Sequence, residues 1–386
     1  MEILAFGEDW GRHPSSSQHI LTVLLDQCDV TWVNSIGLRQ PKLNWRDIRR
    51  VKEKLLSTIH SPAAGDPNTE KEPHRIKEPT RIIKPIVWPL AQSSFIQKLN
   101  NFSLSRQLKR KQQPRIIWAA LPSAVDYLSI CDSDLVIYYC GDDFSALAGV
   151  DHHAVTQAEQ RLTDRADIIL ACSPALQRKF PANKTWLLPH GVSLLQFANP
   201  APCPSDIDTT KPSVGFYGSL NNWLDQELLH RLAKARPEIN FYLVGPVDTD
   251  IARLQQLRNI HLLPAKPHYQ LAGYLQHWTM AILPFKDNDQ IRACNPLKLR
   301  EYLAAGCPVI SSSFPAIEPY RPLASVATSL KEWLQAIDHY CQLSPVARQN
   351  YRIQANTCVA NESWQNRANQ VLTLIKEQLL SEKGDL

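Results

Sequence analysis

The chain has 386 residues, of which 44% are apolar and 20% charged, with a formal net charge of +5 at pH 7. Those proportions exclude a disordered or fibrous chain, and the length exceeds what one core usually holds, so two domains are predicted. Apolar runs such as Leu135–Cys140 are far shorter than the ~18 residues of a membrane span, and the acidic start at Met1–Asp9 lacks the basic region of a secretory signal, so a cytoplasmic protein is expected.

In the first half, strands are predicted near Glu2–Phe6, Val30–Asn34, Ile82–Val87, Ile116–Ala119, Leu135–Tyr139, Asp167–Ala171 and Thr185–Leu188. These are short continuous apolar runs, the kind buried on both faces of a parallel sheet. Ser16–Gln27 and His152–Arg165 have the length and apolar spacing of crossover helices. The loop after the first strand carries Glu8, Asp9, Trp10 and His13, candidates for the acceptor side of a ligand cleft.

Charge is uneven along this half. From Arg39 to Arg115 there are 18 Lys and Arg against 6 Asp and Glu, an excess of +12. Within it Ser61–Thr80 reads as a loop rich in Pro, Lys, Glu and His. Beyond that, Lys98, Arg106, Lys109, Arg110, Lys111 and Arg115 alternate with Phe95, Ile96, Leu99, Phe102, Leu104 and Leu108. Two readings stand: a solvated helix face, or a basic, partly apolar helix docking on an anionic leaflet. No RNA-recognition or helix-turn-helix signature accompanies the basic stretch, so no nucleic-acid partner is expected.

Asp142 and Asp143 follow the strand ending near Tyr139. One of them could accept a proton from an attacking hydroxyl, Asp143 being favoured; the other reading is an N-cap for a helix beginning near Phe144. Asp132-Ser133-Asp134 has the spacing of a metal-binding pair but precedes its strand, where a turn is expected, so no metal site is assigned. Nine cysteines with no C-x-x-C spacing fit neither a disulfide framework nor a zinc site and are read as packing residues.

At Asn199–Pro212 the pattern lapses into proline-rich sequence. The organisation expected is an N-terminal domain over 1–198, a linker over 199–212, a second domain over 213–361, and a terminal helix and tail over 362–386. The second domain restarts with strand Ser213–Tyr217 and a helix over about Asn222–Ala235. Strands follow near Ile239–Val244, Ile260–Leu263, Ala281–Pro284 and Val309–Ser312, then helices around Leu330–Tyr340, Pro345–Asn356 and Glu362–Leu380. Only 13 glycines occur. Gly7, Gly141, Gly191, Gly218 and Gly245 directly follow strands, where a doubly wound sheet places its ligand loops.

Residues 295–310 carry their own helix signals: Asn295 as N-cap, Pro296 at the first helical position, Gly306 at C′ and Pro308 beyond. Lys298 then stands in the first turn, where the helix dipole disfavours a cation unless an anion sits nearby. A phosphate there would meet the free amides of Leu297 and Lys298 and neutralise the ammonium. Glu301, on the same face, could accept hydrogen bonds from a ribose; the alternative is a local Lys298–Glu301 surface pair. Arg292 could reach the same phosphates or cap a loop carbonyl, and Gly218-Ser219 is a second anion-friendly turn.

Gly218 with Trp223-Leu224-Asp225, Ala235-Arg236-Pro237 leading to Phe241–Pro246, Asn295-Pro296-Leu297-Lys298 with Glu301–Gly306, Tyr139–Phe144 and Leu188–Val192 together resemble the group 1, or family 4, bacterial glycosyltransferases of the GT-B fold. The resemblance is closest to members that make exopolysaccharide and cell-envelope glycans. It implies an α/β fold of two Rossmann-like domains facing a central cleft, with the C-terminal helix crossing back to the first domain. It implies transfer of a hexose from a nucleotide-sugar, UDP-glucose being the commonest, to a glycan or lipid-linked acceptor with retention of configuration. In the family two glutamates separated by seven residues handle the donor. Glu301 matches the second, at the ribose; the first, at the sugar, corresponds to Ala293. The loop Leu263-Pro264-Ala265-Lys266 would meet the nucleobase. Lys298, Arg292 and fixed amides would stabilise the leaving diphosphate without a metal or other cofactor. A nucleotide-sugar epimerase and a non-catalytic protein of this fold are the alternatives.

Overall fold

The computed structural model describes residues 1–11, 15–35, 77–85, 94–146 and 151–384. His13, most of the Ser61–Thr80 stretch and the greater part of the basic region lie outside them. By packing, the described chain divides into two compact units: residues 1–140 with 144–169, and residues 141–143 with 170–386.

The first sheet has seven strands: β1 (Glu2–Phe6), β2 (Asp29–Val33), β3 (Arg81–Ile83), β4 (Arg115–Ala119), β5 (Leu135–Cys140), β6 (Ile168–Ala171) and β7 (Thr185–Leu187), in the order β3-β2-β1-β4-β5-β6-β7. The order reverses at β1, whose Ile3 lies parallel between Val30 of β2 and Ile116 of β4. Every residue of β4 and β5 is buried, which is why, apart from the ion-paired Arg115, their sequences run apolar instead of alternating. Helix α1 (Ser16–Leu24) starts at Ser15, whose hydroxyl accepts from the Gln18 amide. Helix α2 spans Ser94–Ser105, and α3 (His152–Arg165) is capped by Asp151. Among the described residues Phe144 lies in a turn, and the Asp142 carboxylate accepts from the Asp143 amide at 2.8 Å.

Two of the basic residues of this unit serve the fold. Arg115 is buried, paired with Glu2 at 2.9 Å and donating to the carbonyls of Cys131 and Lys109. Lys111 pairs with Asp134 at 2.6 Å, whose other oxygen accepts from the Arg115 amide. Asp134 therefore fixes the turn before β5. The remaining named cations, Lys98 on α2 and Arg106, Lys109 and Arg110 after it, are exposed, as are Phe95, Leu99 and Phe102 on α2.

The short helices α4 (Pro174–Gln177) and α5 (Leu194–Ala198) precede the second sheet. Its strands are β8 (Ser213–Tyr217), β9 (Asn240–Val244), β10 (Ile260–Leu263), β11 (Met280–Leu283), β12 (Val309–Ser311) and β13 (Ala324–Val326), in the order β10-β9-β8-β11-β12-β13, reversing at β8. Strand β13 was not expected: Ala-Ser-Val is too short to carry a pattern, and its pairing with β12 holds it. Helix α6 (Gln226–Ala235) starts later than its apolar spacing suggests because Asp225 caps the Leu228 amide. Then come α7 (Ala252–Gln255), α8 (Leu271–His277), α9 (Asp289–Ala293), α10 (Leu297–Ala304), α11 (Leu330–Cys341), α12 (Pro345–Val359) and α13 (Trp364–Gly384). The start of α13 is fixed by a hydrogen bond from the Val192 amide to the Glu362 carbonyl and by Trp364, whose indole fills the space beside Gly191. Gly7 likewise makes room for Trp32, so these two glycines serve packing. Five cysteines are buried, but Cys203 and Cys358 are exposed, against the expectation that all nine pack.

Candidate functional site

The segment around α10 departs in one respect from its expected start. Asn295 does not cap the helix: Pro296 occupies the cap position in extended backbone and offers no side-chain acceptor. The residue before a proline is pushed out of helical conformation, and Asn295 instead turns inward. Its amide donates to the Cys172 carbonyl at 2.6 Å and its oxygen accepts from Arg300 at 2.6 Å. Beside it the Ser173 hydroxyl donates to the Ala293 carbonyl at 2.6 Å. Arg300 is itself buried, donates to Glu362 at 2.5 Å and lies over the Tyr320 ring, whose hydroxyl reaches the same carboxylate at 2.8 Å. Removing one partner of such a buried pair typically costs about 3–5 kcal/mol, so the helix start is held hard in place. At its far end Gly306 takes φ +70, the C′ position expected.

Lys298 lies at the second helical residue. Its ammonium sits over the rings of Phe216 and Trp223, at 5.5 and 5.3 Å, and among the described residues it forms no ion pair. Burial lowers its pKa below the ordinary lysine value, outweighing the pull of Glu301 and Cys294. A charge desolvated without a carboxylate partner is unfavourable alone, and a bound anion would relieve it. The lysine stem crosses the turn after β8. Gly218 there takes φ +132, and a Cβ on it would stand 2.4 Å from the Lys298 Cε. Gly245, after β9, takes φ +145, and its own Cβ would stand 2.2 Å from the Gly218 carbonyl oxygen. Both positions thus need glycine for backbone angle and for close approach.

Glu301 is buried and does not form a surface pair with Lys298. One carboxylate oxygen accepts from the Tyr217 hydroxyl and the other faces His268 Nε2 at 2.6 Å. Burial acts to lower the His268 pKa, but the attraction of Glu301 and the hydrogen bond to it prevail and raise it. Burial, with the Glu301 charge, drives the Tyr217 hydroxyl well up, so it stays a donor. Neither Tyr217 nor His268 was singled out from sequence. His268 follows the Leu263–Lys266 loop in a Lys-Pro-His run with no motif spacing, and Tyr217 reads as one more strand residue.

Other residues named from sequence have local partners. Arg292 is exposed and held by Asp287 at 2.7 and 2.8 Å and by Asp289 at 3.4 Å, in place of the phosphate or loop carbonyl expected. The Ser219 hydroxyl donates to Asp248 at 2.7 Å. Lys266 pairs with Asp206 at 2.6 Å and lies over Tyr274, while Ala265 stays exposed. Asp143 pairs with Lys179 at 2.7 Å. Burial, reinforced by the Asp143 charge, raises the Asp142 carboxyl against the pull of the Asp143 amide. Glu8 accepts from Ser15 and Gln18, Asp9 accepts from Ser35, and Trp10 packs edge-on to Trp32 at 4.9 Å; these contacts shape the loop after β1.

Residues 211–341 match the family model of glycosyl transferases group 1. TuaH of Bacillus subtilis (strain 168), whose name assigns it to teichuronic acid biosynthesis as a glycosyltransferase, is 28% identical over 222 residues, 52% of this chain. The match covers 56% of TuaH, so the chain spans about half the length of this curated relative. Among solved structures, Anabaena HepE in complex with UDP shares 14% identity at a TM-score of 0.67, covering 98% of this chain and all of that one. Sucrose-phosphate synthase from Thermosynechococcus elongatus shares 16% at a TM-score of 0.69, covering 98% and 99%. These likenesses establish the GT-B fold, and residues 211–341, which hold Gly218, Lys298 and Glu301, are a group 1 glycosyltransferase domain.

Proposed function

We propose that the chain moves a hexose from a UDP-sugar, UDP-glucose being the reference donor, to a glycan or lipid-linked acceptor in polysaccharide biosynthesis, with retention of configuration. The observation that carries this reading is Lys298: a half-buried ammonium without an ion pair among the described residues, its stem lying against the Gly218 turn at the start of α10. A diphosphate laid on that start meets helix amides and the ammonium together. As the glycosidic bond breaks, negative charge grows on the distal phosphate, and a preorganised cation there stabilises it with no reorganisation. The reading includes no metal or other cofactor, and it leaves Arg292 to its aspartates. Glu301 accepts from the ribose. The UDP seen with HepE and the biosynthetic assignment of TuaH support the donor and pathway classes.

The acceptor side is proposed to work at an anionic membrane surface. Among the described residues no helix is long and apolar enough to cross a membrane. On α2, however, Phe95, Leu99 and Phe102 are 69%, 43% and 58% exposed, Lys98 beside Leu99 is exposed too, and exposed Arg106, Lys109 and Arg110 follow the helix in sequence, the Arg106 guanidinium lying over the Phe102 ring. The donor reading is tested by thermal shift with UDP and a panel of UDP-sugars. A ligand at 100 times its dissociation constant adds about 2.7 kcal/mol to stability. Sugar release without acceptor then identifies the donor, and no shift with any of them would reject the reading.

A further inference from the structure

Four side chains form one hydrogen-bonded line beside α10. The Gln196 amide nitrogen lies 3.1 Å from His268 Nδ1 and also donates to the His268 carbonyl at 2.9 Å. An amide nitrogen can only donate, so Nδ1 accepts and the imidazole proton is left on Nε2. His268 Nε2 meets one oxygen of Glu301 at 2.6 Å, and the Tyr217 hydroxyl meets the other. The Phe197 ring stands edge-on to His268, centroids 5.5 Å apart. The Glu301 side chain is only 4% exposed, that of His268 23%. The histidine, between Gln196 and the carboxylate, thus lies nearer solvent than Glu301 does.

We infer that His268, with its proton set by Gln196, is the positioning residue that holds the Glu301 carboxylate in the orientation that accepts a nucleotide's ribose hydroxyls. This rests on the reading above that Glu301 meets the ribose. A buried carboxylate left to itself turns or takes up a proton, and either change removes an acceptor from the site. Tyr217 holds one oxygen and leaves rotation about that contact; a second donor from the other side stops it. The vicinal diol of ribose asks for such a carboxylate, since two hydroxyls must find acceptors at once. Because the neutral imidazole donates through Nε2 as the cation does, the hold does not depend on histidine charge.

The experiment is calorimetric titration of the full chain with UDP and with 2′,3′-dideoxy-UDP. Wild type should prefer UDP by on the order of 10-fold or more, the usual effect of an unmade hydrogen bond at a buried acceptor. His268→Leu should lower the UDP affinity by a similar factor while leaving dideoxy-UDP binding nearly unchanged, so that the preference collapses. His268→Gln, which keeps an N–H near Nε2, should restore most of the preference and also serves if the leucine variant fails to fold. A His268→Leu or His268→Gln protein that binds both ligands more weakly by the same factor would make the histidine merely structural and overturn the inference. If wild type binds UDP and its dideoxy form equally, the Glu301 contact to ribose is refuted and the inference falls with it, while the donor reading stands. If wild type binds neither, the donor reading itself fails.

Discussion

Replacing Lys298 by methionine keeps the length of the side chain and removes its charge, and the two consequences have opposite signs. Without ligand, the half-buried ammonium gains its cation–π contacts with Phe216 and Trp223, about 0.5–1 kcal/mol each on the scale for sites open to water. A thioether regains roughly 0.3–1.5 kcal/mol against each ring, so those contacts nearly cancel. What remains is desolvation, which already outweighs Glu301 and Cys294 in setting the lysine's lowered pKa. The unliganded Lys298→Met protein should therefore be as stable as wild type or about 1 kcal/mol more so, a rise of roughly 2–4 °C in melting temperature for a domain of ~150–250 residues. With UDP the sign reverses. A charge pair at about 4 Å and an effective dielectric constant near 20 is worth about 4 kcal/mol. Retaining half of that after solvent competition predicts UDP binding weakened by roughly 30-fold, since ~1.4 kcal/mol is tenfold. Differential scanning calorimetry of the free protein and titration with UDP measure the two terms separately. A melting temperature several degrees lower, or an unchanged UDP affinity, would refute the reasoning.

Other outcomes follow from the same geometry. Arg292→Ala should leave UDP affinity and turnover within about twofold, because its guanidinium is committed to Asp287 and Asp289 at an exposed site worth little to stability; a loss of tenfold in either would return it to the donor site. Glu301 raises the His268 pKa above its ordinary 6.5, so the ion pair's contribution is fully present below pH 6.5 and is lost as pH rises through the raised value. Denaturant unfolding of wild type should accordingly lose stability relative to Glu301→Gln over that window, and parallel profiles would deny the coupling. Phe95→Ser with Phe102→Ser should reduce binding to vesicles rich in anionic lipid at least 100-fold, each apolar side chain being worth about 1.5–3 kcal/mol on burial, and high salt should reduce the wild type's binding as well. Equal cosedimentation of both proteins would leave α2 a solvated face.

Much of the fold was legible because strand runs such as Leu135–Cys140 are apolar throughout and helices such as His152–Arg165 carry their own caps. Gly218, Lys298 and Glu301 stand out as candidates in the sequence because dipole sign, turn chemistry and family motif agree on them. The hidden part of the site consists of side-chain pairings, some local and some long-range, that no spacing announces. Nothing near Asn295 announces that its side chain will leave the cap for Cys172 and Arg300, and nothing near Lys298 tells that Arg292 will be taken by Asp287. His268 lies 33 residues from Glu301 in sequence, and a pair joined only by packing between a loop and a helix leaves no periodic trace. Exposed Cys203 and Cys358 escaped notice for the converse reason, since composition cannot say which small apolar residues stay at the surface.

The contact of Gly245 with the Gly218 carbonyl ties two turns into one mechanical part. Any side chain at 245 must push the main chain of 218, and Gly218 in turn has Lys298 lying across its vacant Cβ position. A methyl group added after β9 is therefore transmitted through one peptide to the ammonium, without touching it. Loop grafting intended to change the nucleotide must carry both turns together with the first residues of α10, because exchanging any one of the three alone moves the other two.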